Sequence, residues 1–278
     1  MKGFNNARSL IVTGLLLLVT GASAALAQVP QRMPFVEPDF EIPEGPVGAA
    51  VELGEHLVKD TQLYAKGYVG NGLNCSNCHL GGGITPNAMP YVGLPGMFPI
   101  YRPRSGRVIS LQERINGCFR RSLNGRPLPL DSPEMNAILA YMAWLSQGVP
   151  AGVEVEGRGT RKMPPPRHAP DPVRGRALFL DRCSHCHGED GQGARNADGS
   201  YVFPPLWGDH SFNIGAGMAR LNTAAAFVKH NMPFGQGESL PDQDAYDIAS
   251  FFTTQPRPDL PGKEKDWPLG GKPVDARY

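Results

Sequence analysis

The chain has 278 residues, and its 27 Lys and Arg nearly balance 26 Asp and Glu, for a net charge of +1. No global field therefore favours nucleic acid, and any electrostatic function must come from local clustering. The 34 glycines and 28 prolines argue against long uninterrupted helices or wide sheets, and the length suits two compact domains with shaped loops.

At the N-terminus, Lys2 and Arg8 precede an apolar stretch at residues 10–19, followed by Ala25, Leu26 and Ala27. Positive, apolar and small-residue regions in that order predict a secretory signal at residues 1–27, cleaved after Ala27. The apolar core is short for a membrane span of about 20 residues, so no stable membrane insertion is expected after cleavage. A bacterial-type export signal places the mature chain in the periplasm.

The next element is a helix expected over residues 54–67, which leads into Cys75-Ser76-Asn77-Cys78-His79. This Cys-x-x-Cys-His pattern joins haem vinyl groups as thioethers, and its histidine becomes an axial iron ligand. A Gly- and Pro-rich loop and a closing helix from Pro133 complete the unit. A second unit repeats the plan: a helix over residues 173–182, then Cys183-Ser184-His185-Cys186-His187, a loop, and a closing helix after Pro241. The two motifs lie 108 positions apart, and Pro133/Pro241, Ala137/Ala245, Gln147/Gln255 and Pro150/Pro258 keep the same step. Two copies of one domain follow.

Apolar residues at Ile138, Tyr141, Met142 and Leu145, and at Tyr246, Ile248, Ala249 and Phe252, recur at helical spacing. The fold class is thus all-α, with two tandem cytochrome c-like domains at residues 28–152 and 171–258. Residues 153–170 are a Gly/Pro/Arg-rich linker, and residues 259–278 a tail lying across the surface.

Four of the five cysteines are used in the motifs, for two covalent haems c. His79 and His187 are the proximal ligands. Across the second haem, Met232 precedes a proline and is the expected distal ligand, with Met218, Lys229 and His230 as competitors. Shifting Met232 by the repeat lands on Asn124, a poor iron ligand. The unpaired Cys118 lies nearby, and a thiolate would bind ferric iron; Met89 and Met135 are the alternatives, and a small buried core residue is the plain reading of a free cysteine. Arg102, Arg104, Arg107, Arg114, Arg120, Arg121 and Arg126 surround it with a single acid, Glu113. Guanidinium groups bind oxyanions bidentately and favour the thiolate. Two or three of them suffice for haem propionates, which leaves room for a small polyanion.

These residues resemble the thiosulfate dehydrogenase family of periplasmic dihaem cytochromes. The likeness is carried by Tyr68-Val69-Gly70-Asn71, the first haem motif with Leu80, Tyr101-Arg102-Pro103-Arg104, Arg114-Ile115-Asn116-Gly117-Cys118-Phe119, Pro205-Leu206-Trp207-Gly208, Asn231-Met232-Pro233 and Gly270-Gly271-Lys272-Pro273. The resemblance implies oxidation of two thiosulfates to tetrathionate, with electrons passed to a cytochrome c acceptor. It also implies Cys118 as distal ligand of the active-site haem and Arg104 and Arg114 as substrate holders. Family members can exchange a lysine with the methionine at the second haem, but Asn231 stands at that position, leaving Lys229 as the remaining candidate for a switch. The competing readings are a dihaem electron carrier without its own substrate and a sulfur-oxidation subunit that acts on a partner protein. A dihaem peroxidase fits less well, since no acid is evidently placed for O–O cleavage.

Overall fold

Each haem motif sits between a helix that leads into it and a helix that closes its domain. The computed structural model describes residues 31–278; the expected signal segment, residues 1–27, lies outside the described residues. Six helices of at least 11 residues carry the two domains: α1 (Pro46–Lys59), α2 (Leu111–Arg121) and α3 (Pro133–Leu145), then α4 (Pro172–Arg182), α5 (Leu221–Asn231) and α6 (Asp242–Thr254). Extended structure among the described residues is confined to three two-stranded pairs.

The first domain is built on α1 crossing α3, the second on α4 crossing α6. Both crossings depend on a glycine. A Cβ on Gly54 of α1 would stand 2.1 Å from the carbonyl oxygen of Ala137, and one on Gly175 of α4 would stand 1.9 Å from that of Asp247. Only a residue without a side chain lets the helices approach this closely. The closing helices bury the faces their periodicity predicts: Ile138, Tyr141, Met142 and Leu145 on α3, and Tyr246, Ile248, Ala249 and Phe252 on α6. Ser132 caps α3 by accepting from the Met135 N–H at 3.2 Å, a common way to satisfy a first-turn donor.

The structure corrects two expectations and adds contacts to two other segments. The first helix runs over Pro46–Lys59 rather than 54–67. It starts at Pro46, whose fixed φ suits a first helical turn. It ends where Thr61 turns the chain toward the motif, its hydroxyl accepting from the Cys75 N–H at 3.0 Å.

The repeat register also shifts. Helix α2 ends at Arg121 and α5 at Asn231, a step of 110 rather than 108. The residue just past α2 that corresponds to Met232 is therefore Ser122, not Asn124. Asn124 lies in a left-handed conformation (φ 46°) and accepts a hydrogen bond from Asn213 at 3.1 Å.

The segment 153–170 is more than a connector. Glu154–Val155 pairs in parallel with Arg32–Met33, and the Gly157 and Gly159 carbonyls accept from the Asn87 and Met89 N–H groups at 2.7 and 2.9 Å.

The C-terminal tail is largely exposed and ties the two domains together. Asp266 accepts two hydrogen bonds from Arg121, at 2.6 and 2.8 Å, and the Trp267 N–H donates to the Arg104 carbonyl at 2.8 Å. Further contacts come from the stretch that separates α1 from the first motif. Asn71 donates to the Ser211 carbonyl at 3.0 Å, and the Gly72 N–H to that of His210 at 2.9 Å.

Candidate functional site

The first haem motif lines one wall of a cavity of about 310 Å3, with Cys75, Cys78 and His79 facing Cys118 and Arg114 of α2. The His79 Nδ1 lies 2.6 Å from the Met89 carbonyl. A carbonyl can only accept, so Nδ1 carries the proton and Nε2 keeps a free lone pair for iron. Met135 is buried in the α3 core and does not line the cavity. Cys118 shares the cavity lining with Met89 and Met142 and is the one of these three sulfurs that is paired with an arginine.

Helical spacing explains its neighbour. Residues four apart on one helix share a face, and Arg114 donates to the Cys118 sulfur at 3.0 Å. Burial by itself raises the Cys118 pKa. The charge of Arg114 and the approach of His79 outweigh it, and the thiol is held down to about 6. By contrast, burial pushes the Cys75 and Cys78 thiols up to about 11 and 12. The thiolate in turn raises the pKa of Arg114. Of the three cysteines lining this cavity, Cys118 alone is held below the ordinary thiol range.

The seven arginines divide. Arg102 and Arg114 line the cavity. Burial, then the charge of Arg114, lowers the pKa of Arg102. Arg104 is not among the lining residues. It donates to the Gly215 carbonyl at 2.6 Å, lies 3.8 Å from Asp266 and stacks 4.7 Å from the Trp267 ring centre. Arg121 pairs with the same carboxylate, Arg107 with Glu113 at 2.6 Å, and Arg126 stacks on Tyr68. The structure thus brings Arg114 to Cys118 and sets Arg104 at the domain junction. It also brings in a guanidinium that the sequence reading left out: Arg158, from the interdomain segment, lines the same cavity. Its only sequence signal was a Gly-Arg-Gly triplet, Gly157 to Gly159, in a stretch read as linker.

A second cavity, of about 480 Å3, is lined by Cys183, Cys186, His187, Met218 and Met232. The His187 Nδ1 donates to the Pro204 carbonyl at 3.0 Å, as His79 does to Met89. Lys229 and His230 point elsewhere. Lys229 donates to the Leu240 carbonyl at 2.7 Å and pairs with Glu238 at 3.3 Å, while His230 bonds Glu238 and the Arg161 carbonyl. Asn231 donates to the Phe227 and Asn87 carbonyls. Both methionines reach the cavity; Met232 does so as the first residue past α5.

Both cavities meet the fit expected of covalent haem c: paired cysteines, an oriented histidine and an apolar lining. Leu73 and Cys78 line both, and Ser76, Asn77 and Leu80 of the first motif region form part of the second cavity's wall. Haems held in these two cavities would be near neighbours. No helix among the described residues is long and apolar enough to cross a membrane.

Residues 60–151 match the family model described as SoxA/TsdA, cytochrome c domain, and residues 172–255 match the cytochrome c model. A protein from Psychrobacter arcticus named thiosulfate dehydrogenase is 51% identical over 236 residues, covering 85% of this chain and 72% of that protein. One of the same name from Allochromatium vinosum is 48% identical over 246 residues, covering 87% and 91%. The solved structure of thiosulfate dehydrogenase TsdBA from Marichromatium purpuratum, in its as-isolated form, aligns with a TM-score of 0.79 at 38% identity. That alignment covers 82% of this chain and 50% of the other, so this chain spans half the length of that protein. A shorter match, 26% identical over 123 residues, is the L-cysteine S-thiosulfotransferase subunit SoxA of Rhodovulum sulfidophilum.

Proposed function

This chain belongs to the thiosulfate dehydrogenase family of dihaem c-type cytochromes, and from that premise we propose that it joins two thiosulfate ions into tetrathionate at the Cys118 side of the first haem. The observation that carries the reading is the Cys118–Arg114 pair, a stabilised thiolate beside an arginine, on the cavity wall facing His79. The haems supply two one-electron acceptors, which matches the two electrons the reaction releases.

In this reading the arginines offset the repulsion between dianions, the kind of fixed charge that is most effective in a site shielded from water. Arg114 is placed to do so beside the reacting sulfur, and Arg104 enters as a substrate holder on the family resemblance. The Cys118 thiolate and the outer sulfur of one thiosulfate form an S–S bond, and two electrons leave. The outer sulfur of a second thiosulfate then attacks the sulfur bound to Cys118. That attack breaks the bond to Cys118, restores its thiolate and releases tetrathionate. His187 and Met232 would hold the iron of the second haem, a combination that favours a high potential and suits a relay to a soluble cytochrome c acceptor. The resemblance and the export-type N-terminus support the periplasm as its compartment.

Purified dihaem protein mixed with thiosulfate and ferricyanide should form tetrathionate with no other protein present. The reading fails if no tetrathionate appears while thiosulfate is instead transferred to the cysteine of an added carrier protein. That outcome would favour the activity of the SoxA-type relative.

A further inference from the structure

Arg257 follows the last helix of the second domain and packs, half-buried, against the wall of the second cavity. Its guanidinium lies 4.3 Å from the centre of the Phe212 ring. It donates to the carbonyls of Phe212 at 3.2 Å, Leu206 at 3.3 Å and Phe252 at 2.8 Å. All three residues line the cavity that holds the second haem. The cation is thus fixed one aromatic ring away from that cavity, by three separate segments of its wall.

No carboxylate among the described residues pairs with it. The charged group that acts on it is another arginine, Arg277. Arg257 Nε and Arg277 Nη1 are buried without hydrogen-bond partners. Burial, then the charge of Arg277, lowers the pKa of Arg257 to about 9, so it stays protonated at neutral pH. Placing a cation against an apolar cavity wall is costly, and a residue serving only to pack would not need one.

The repeat makes the contrast plain. Past the closing helices, Gln147 and Pro150 match Gln255 and Pro258, and the residue that matches Arg257 is Val149. The first domain carries an apolar side chain where the second carries a charge.

We propose that Arg257 holds the second haem at the higher reduction potential of the pair, its charge acting across the Phe212 ring, so that electrons run from the first haem toward the second. Ferric haem bears one more positive charge than ferrous haem, so a fixed neighbouring cation favours the reduced form. At one ring's remove and an effective dielectric of about 20, one charge is worth on the order of tenfold in a one-electron equilibrium. This rests on the relay reading of the second haem given above.

The test is a spectroelectrochemical titration of each haem in the holoprotein, comparing Arg257→Gln and Arg257→Lys with wild type. Arg257→Gln should lower the second haem's potential by about 59 mV, the equivalent of tenfold for one electron, and leave the first haem near its wild-type value. Arg257→Lys should restore most of it, although it cannot bond all three carbonyls. An unchanged second haem in Arg257→Gln, or an equal fall in both variants, would overturn the proposal, the latter by assigning the effect to lost wall contacts. Should Arg257→Gln not fold, Arg277→Gln decides: a smaller fall confined to the second haem supports the field, and no fall overturns it. Tetrathionate formation by wild type is scored separately, so losing this inference leaves the proposed reaction standing.

Discussion

The two domains share a helix crossing, a haem motif and an oriented histidine, and in the proposed reading they differ in where the opposing sulfur comes from. In the second domain the loop just past α5 presents Met232. In the first, the equivalent helix α2 itself presents Cys118, one turn before its end and four residues after Arg114. A residue within a helix is fixed by backbone hydrogen bonds, and its i−4 neighbour is fixed with it, so thiolate and cation arrive as one unit. A residue past a helix end has no such companion. One scaffold thus yields a neutral thioether site suited to electron relay and a charge-paired thiolate site suited to anionic sulfur chemistry.

The strongest way to break this contrast is Cys118→Ala. Turnover with thiosulfate should fall by about 10^3-fold or more, as expected when a covalent nucleophile is removed. Low-temperature EPR should lose the thiolate-type low-spin signal and keep that of the second haem; full activity in this variant would end the assignment. Next is Arg114→Gln, expected to cost about 10^2-fold in kcat/KM, the scale for one preorganised electrostatic donor. The same variant should raise the Cys118 pKa, because the charge that holds it down is gone; thiol alkylation against pH in haem-free protein reads this directly.

A third test separates the junction from the site. Asp266→Ala leaves Arg121 without its carboxylate and should lower unfolding stability by about 3 kcal/mol, the lower end for a broken, largely buried pair, measured by denaturant titration. If Arg104 serves mainly at this junction, Arg104→Ala should follow Asp266→Ala in stability, with KM little changed. A tenfold rise in KM without loss of stability would return Arg104 to the substrate. The smallest effect is expected from Lys229→Met. Its ammonium is held by Leu240, Glu238 and Asp242, so the spectrum of the second haem should not change in either oxidation state. A changed spectrum would show that Lys229 exchanges with Met232.

Much of the site could be read in the chain because its chemistry is local. Cys-x-x-Cys-His is contiguous, and the Arg114–Cys118 pair needs only one helical turn. The helical faces of α3 and α6 followed from periodicity. The register inference succeeded at the motifs and closing helices and missed by two residues between them, since loops on either side of α2 and α5 absorb insertions without disturbing the crossings. Arg104 could not be placed from sequence because its neighbours, Gly215, Asp266 and Trp267, lie more than 100 positions away. Arg158 was hidden for a related reason: a stretch rich in glycine and arginine carries no periodicity, yet its Gly157 and Gly159 carbonyls are bonded by the Asn87 and Met89 N–H groups and fix it at the first cavity.

By itself the sequence determined the two covalent haem attachments, the duplicated helical plan and the odd cysteine among arginines, all written in short stretches of chain. Only the tertiary structure decided which arginines reach that cysteine, that both cavities share Leu73 and Cys78, and that the tail and interdomain segment are structural parts of the molecule. Covalent chemistry and helical spacing act over a few residues. Burial, charge pairing and cavity walls depend on segments meeting in space, and a repeat register does not specify where its loops meet.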